Sequence, residues 1–206
     1  MAAYPIDEND RTRIRTAIER AESRTSGEIY VVVARQSGDY RLIPIAWALI
    51  AALILPLPLI AFTRFTAGGI YLAELVIFVA LALILSLPDL LPRIVPTNVL
   101  REHGHARAVE QFLAHGLTGT QARTGVLVFV SLAERYAEIV ADTGIAAKVS
   151  QEVWDELIAR LTTEIAAGRL AEGLIGAVER AGAVLTEHFP QMPGDRNELV
   201  NDVVLL

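Results

Sequence analysis

The chain has 206 residues, 53% of them hydrophobic, a net charge of −6 and no cysteine. Disulfides and thiolate metal sites are therefore excluded, and without a basic cluster no nucleic-acid partner is expected. About fifty residues lie in two apolar runs, which leaves about 150 for one soluble domain of ordinary size.

The first stretch, MAAYPIDENDRTR, is polar and acidic. It lacks the basic n-region and apolar core of a secretory signal, so none is expected. Asp7 to Arg24 is predicted as a helix. Asp7, Glu8 and Asp10 suit its N-terminus, and Ile14, Ala17, Ile18 and Ala21 form a narrow apolar stripe. Thr25-Ser26-Gly27 ends it. Glu28 to Ala34 (EIYVVVA) is predicted as a strand apolar on both faces, which requires helices on both sides of its sheet.

Two apolar runs follow. Ile43 to Thr63 has no charged residue, and Phe65 to Pro88 has only Glu74. A helix needs about 20 apolar residues to cross the ~30 Å hydrocarbon layer. Both runs suffice, and the stretch around Arg64 to Gly69 joins them as a transmembrane hairpin in a lipid bilayer. Neither run keeps the polar stripe of a core helix. Pro56 and Pro58 should bend the first span. Tyr40, Trp47 and Tyr71 are expected near the interfaces. Glu74 has two readings: a functional intramembrane carboxylate, or a group within reach of the headgroups. Arg24, Arg35, Arg41, Arg93, Arg101 and Arg107 flank the hairpin, against Arg64 alone in its turn. By the positive-inside rule, both termini and the soluble domain should be cytoplasmic.

Beyond Pro92 and Pro96, Thr97 or Asn98 is expected to cap a helix running to about His115, with Ala106, Val109, Phe112 and Leu113 facing inward. Thr124 to Leu132 (TGVLVFVSL) is a second strand. Tyr136 to Ala141 is a third, and the short gap between them predicts an antiparallel hairpin. Ser150 should cap the next helix, which buries Val153, Trp154, Leu157, Ile158, Leu161 and Ile165 and ends at Gly168. A last helix spans Leu170 to His188, and Val203 to Leu206 offers an edge strand. The fold class is α/β: a small mixed sheet between helices, an α/β/α sandwich interrupted by the membrane hairpin. The pieces are 1–41 (helix and strand), 42–91 (hairpin) and 92–206 (the remainder of the domain).

An ordered set of motifs then stands out: Thr25-Ser26-Gly27-Glu28-Ile29, Thr124-Gly125-Val126-Leu127-Val128-Phe129-Val130-Ser131, Glu134-Arg135, Ala141-Asp142-Thr143-Gly144-Ile145, Trp154 and Phe189-Pro190. It resembles the TPM domain family. Asn197-Glu198-Leu199 is similar to the family's terminal motif, with Val200 where members usually have Pro. The family includes thylakoid proteins linked to photosystem II repair, for which acid-phosphatase activity has been proposed, and many bacterial membrane proteins. The resemblance implies an α/β/α sandwich and, with the hairpin, a multi-pass protein of the bacterial inner (plasma) membrane.

Asp142, at the end of the third strand, is the first candidate site residue. If the first two strands are parallel and the third antiparallel, Asp142 lies near Ser26, Glu28 and Thr124. Carboxylates, hydroxyls and carbonyls together suit Ca²⁺ or Mg²⁺, and such an ion polarises a phosphoryl oxygen. The resemblance implies acids at strand ends as metal ligands, and here Asp142 and Glu28 match by position. The alternative is that Asp142 forms an Asx-turn with Thr143 and Gly144. Glu138 stands about 13 Å from Asp142 along the strand and is expected as a solvated or salt-bridged residue. Glu134 and Arg135 occupy the opposite end of the sheet, as a partner-docking tip or as the end of a hairpin. That end is expected to face the bilayer, and the Asp142 end the cytoplasm.

His103 and His105 point to nearly opposite sides of a helix. With His115 and His188 they are expected as surface or core histidines. Catalytic residues stay unassigned: there is no nucleophile elbow, P-loop or dinucleotide fingerprint. Two functions follow. The first is an accessory, assembly or quality-control factor that binds a membrane-protein partner. The alternative is a divalent-metal-dependent phosphatase.

Overall fold

The computed structural model describes residues 6–87, 90–120, 122–191 and 201–206. The family-like Asn197-Glu198-Leu199 motif lies outside them. The chain divides into two compact units, Met1–Ser37 with Glu102–Leu206, and Gly38–Arg101.

The first unit is built on a four-stranded sheet of order β3-β2-β1-β4. Its strands are β1 (Glu28–Ala34), β2 (Gly125–Ser131), β3 (Tyr136–Ala141) and β4 (Val203–Leu205). β3 is antiparallel to β2, as the short gap predicts, and β2 and β4 run parallel to β1. The short tail strand does join the edge: Leu206 N–H donates to Val33 O at 3.0 Å, and Arg35 N–H to Leu206 O at 2.9 Å.

Every residue of β1 and β2 is buried. On one face, Ile29, Val31, Val33, Val126, Val128 and Val130 pack beneath α1 (Glu8–Glu22), α8 (Gln151–Ala166) and α9 (Leu170–His188). Trp154, Leu157, Leu161, Leu174 and Leu185 complete this core. On the other face, Tyr30, Val32, Leu127 and Phe129 meet Ala108, Phe112 and Leu117. Segments apolar on both faces thus become strands sandwiched between helices, because an exposed face would leave β-branched side chains in water.

Helix α6 (Thr97–Ala114) departs from its predicted face. Ala106 and Leu113 are exposed, whereas Gly104, Ala108, Gln111 and Phe112 are buried. The cause is Gly104: a Cβ there would lie 2.5 Å from the Tyr136 ring. The helix approaches β3 along its small residues and so turns Leu113 outward. Val153, predicted inside α8, is likewise 36% exposed.

The second unit holds α2 (Leu42–Ile54), α3 (Pro56–Phe62), α4 (Ala67–Leu85), the short α5 (Leu91–Ile94) and the first turn of α6. Two segments, Leu42–Phe62 and Ala67–Leu85, are long and apolar enough to cross a membrane. Among the described residues, all the exposed large apolar side chains except Leu113, Val153 and Leu206 lie between Leu42 and Leu87. A soluble helix pair would not leave that surface bare to water. Ala48 and Ala52, one turn apart, are buried and let the helices approach closely. Pro56 and Pro58 break the first span at Leu55, which keeps helical angles of φ −55 and ψ −41. Thr66 caps α4 by accepting the Gly69 N–H at 3.2 Å. Tyr40 is not a lipid-facing belt residue: it is 2% exposed and packs with Val95 and Leu100 in a small cluster of its own. Trp47 and Tyr71 are exposed, at 52% and 67%.

Candidate functional site

The site lies where β1 and β2 begin and β3 ends. In the sheet register Glu28 stands opposite Gly125, and Val126 opposite Ala141. The Asp142 N–H donates to Gly125 O at 2.9 Å, and the Glu28 N–H to Thr124 O at 3.1 Å. Glu28, Gly125 and Asp142 therefore form one cross-strand row, on the face that also carries Tyr30 and Leu127. The Thr124 hydroxyl donates to Ser26 O at 3.0 Å. All four predicted residues, Ser26, Glu28, Thr124 and Asp142, are thus brought to one end of the sheet. Glu28, Thr124 and Asp142 are also buried, at 7%, 1% and 5% exposure.

Two packed segments hold this end. The chain after α9 returns to the loop before β1: Ser26 N–H and the Thr25 hydroxyl donate to Phe189 O at 3.0 and 2.6 Å. The Lys148 ammonium lies 4.3 Å from the Phe189 ring centroid. The Thr25-Ser26-Gly27 and Phe189-Pro190 motifs, 164 positions apart at their bonded residues, are therefore two sides of one joint. The loop before β2 presses on Gly144, where a Cβ would stand 2.6 Å from the carbonyl oxygens of Ala122 and Arg123.

Asp142 does make the turn that its sequence offers. Its Oδ1 accepts from the Thr143 N–H at 2.6 Å and from the Thr143 hydroxyl at 3.2 Å, capping the short α7 (Thr143–Ala146). Its Oδ2 is buried without a hydrogen bond, and the nearest cation, Arg123 Nη1, is 3.9 Å away. Above Gly125, the Leu117 carbonyl oxygen would stand 2.7 Å from an added Cβ. That carbonyl overlies the middle of the row whose outer members are Glu28 and Asp142. The set of two carboxylates and a carbonyl is of the oxygen type that hard divalent ions take. Among the described residues no group of three or more His, Cys, Asp or Glu side chains converges.

Glu22 is a member of this end that the sequence reading missed. Its Oε1 accepts the Ile29 N–H at 2.9 Å. Burial pushes its carboxyl up to about 8, with neighbouring Glu28 and Glu19 adding to the rise, against hydrogen bonds from Ile29 and Asn201. The signal was present: Glu22 continues the Ile14–Ile18 spacing by four residues and so faces inward.

The remaining candidates fall elsewhere. Glu138 is held by its neighbours: His105 Nδ1 lies 2.9 and 3.1 Å from its two oxygens, and the Tyr136 hydroxyl donates to it at 2.8 Å. His115 stacks on Tyr30 at 4.5 Å, and burial lowers its pKa. Glu134 is buried, not presented at a tip. Its carboxylate accepts from the Ser37 N–H at 2.8 Å and from the Ser131 hydroxyl.

The two halves of this sheet end come from either side of the apolar hairpin. The TPM domain model matches residues 92–184, which carry β2, β3, α8 and most of α9. The matched region packs with α1 and β1, which come from before the hairpin. Its structure is similar to the NMR structure of the BA42 protein from the psychrophilic bacterium Bizionia argentinensis. The TM-score is 0.64 at 20% identity, over 100% of this chain and 97% of that one. At that identity the likeness concerns the fold. No curated protein matches the chain.

Proposed function

We propose that this chain is a multi-pass protein of the bacterial inner membrane whose TPM domain acts as an accessory, assembly or quality-control factor for a membrane-protein partner. The observation that carries this reading is the position of the apolar hairpin. It leaves the chain between β1 and β2, two strands paired along their whole length. An anchor placed at a terminus only tethers. One inserted between adjacent strands ties the domain's fold to the bilayer at two points. Both termini and the domain then lie in the cytoplasm, following the arginines at the hairpin base, with the Glu134 end of the sheet toward the membrane. Proximity labelling from the full chain in native membranes tests this. A reproducible membrane-protein partner lost on disrupting the TPM domain supports it; labelling no different from a bare hairpin overturns it.

A second reading rests on Asp142. Its buried, unbonded Oδ2, in one row with Glu28 and beneath the Leu117 carbonyl, supports a site for Ca²⁺ or Mg²⁺. In a phosphatase such an ion supplies Lewis-acid polarisation of the phosphoryl oxygen. Asp142 and Glu28 are the residues that would hold it. Divalent-dependent hydrolysis of a phosphate ester by the full chain, abolished in Asp142→Asn, supports this reading. Hydrolysis unchanged by the substitution removes Asp142 from it. No nucleophile converges on this end among the described residues, so the interaction role is the preferred one.

A further inference from the structure

The turn between β2 and β3 closes a cleft of about 400 Å³ within the soluble unit, walled by Val130, Leu132, Ala137, Ile165 and Ala166. Among the described residues Arg135 is the one charged side chain in its lining. The hydroxyls there are already engaged. Ser131 donates to Glu134, Tyr136 to Glu138 at 2.8 Å, and Thr162 to the Ile158 and Ala159 carbonyls at 2.8 and 3.0 Å. Arg135 is exposed and forms no ion pair among the described residues. Its backbone is left-handed, at φ 51, where glycine would sit without strain. A lone guanidinium over apolar walls is complementary to an amphiphile with one anionic group: the phosphate meets the guanidinium fork, and hydrocarbon covers the walls.

The chain itself indicates the source of that amphiphile. Glu134, next to Arg135, holds the Ser37 N–H at 2.8 Å. The first apolar helix begins at Leu42. The few residues between span at most about 18 Å when fully extended. The polar layer of a bilayer extends roughly 5–7 Å beyond its hydrocarbon on each side. We propose that this cleft holds a phospholipid of the bilayer that the hairpin enters, with its phosphate on Arg135 and the start of one acyl chain against Leu132, Ile165 and Ala166. This rests on the membrane reading above.

The test is photocrosslinking of the full chain in nanodiscs containing phosphatidylglycerol with a diazirine-bearing acyl chain. The expected result is crosslinks to peptides covering 130–137 and 162–166, besides those in the hairpin. Arg135→Gly suits the left-handed backbone, so it keeps the melting temperature or raises it. It should lower the cleft crosslinks at least fivefold, while Arg135→Lys retains most of them. Ala166→Trp, which fills the cleft, should lower them without touching the cation. Insertion with crosslinks confined to the hairpin, or cleft crosslinks unchanged in Arg135→Gly, overturns this proposal alone. A chain that fails to enter nanodiscs overturns both this proposal and the membrane reading.

Discussion

The Glu22 carboxylate accepts the Ile29 amide at 2.9 Å, on the edge of β1 that β4 does not reach, since β4 pairs only from Val31 onward. A helix-end side chain thus replaces a strand carbonyl. The carboxyl is pushed up to about 8 from an ordinary 4.5, mainly by burial. Between those two values the folded chain holds a proton that the unfolded chain releases. Stability from this group is therefore fully present below pH 4.5 and is lost as pH rises through about 8. The expected change is on the order of 1–3 kcal/mol. Glu22→Gln should flatten the slope in this window, as thermal melts of the detergent-solubilised chain from pH 5 to 9 will show.

Asp142 separates two roles by a single atom. As a helix cap it needs only an acceptor, which Asn supplies. Asp142→Asn should keep stability within a few tenths of a kcal/mol, whereas Asp142→Ala should lose about 1 kcal/mol. As a cation ligand it needs its charge, so both variants should lose divalent-induced stabilisation. Melting curves with and without added Ca²⁺ or Mg²⁺ read both effects at once. No divalent-induced rise in the native chain would leave the cap as the role of Asp142.

Gly144 has backbone on its open side: the Ala122 and Arg123 carbonyl oxygens would lie 2.6 Å from a new Cβ. Backbone yields less readily than a side-chain tip. Gly144→Ala should cost about 1–3 kcal/mol, and amide shifts should concentrate at residues 120–124 and 142–145. Gly176 has nothing within 4 Å of its Cβ position and lies within a helix. Gly176→Ala should stabilise by about 1 kcal/mol through helix propensity, and so serves as a matched control.

Glu134 ties the end of β1 to the β2–β3 turn through Ser37 and Ser131. Removing the carboxylate strands a half-buried amide and a buried hydroxyl, a loss of about 1–3 kcal/mol. Glu134→Ala should raise the hydrogen exchange of the Ser37 amide at least tenfold, with little change at Ile29 on the far end of the strand. Equal change at both ends would mean global unfolding and not the loss of a local clasp.

Much of this architecture is legible in the residues. EIYVVVA and GVLVFVS are apolar on both faces, which requires a two-sided sheet, and the observed strands begin and end within one residue of those expected. The two apolar runs, the second with only Glu74, are long enough to cross a membrane by length and composition, which no packing partner was needed to recognise. Composition and local periodicity carry such properties because they depend on each segment's own transfer free energy. Tertiary approach decided the rest. Gly104 against Tyr136 set the buried face of α6 and turned outward Leu113, which sequence spacing had placed inside with Phe112. Burial among neighbours from distant positions made Glu22 a high-pKa acid and turned Glu134 inward. The row Glu28–Gly125–Asp142 could be anticipated only conditionally, from assumed strand directions. Its setting beneath the Leu117 carbonyl could not, because the turn carrying Leu117 folds back over the first residue of β2 in a way that no periodicity encodes.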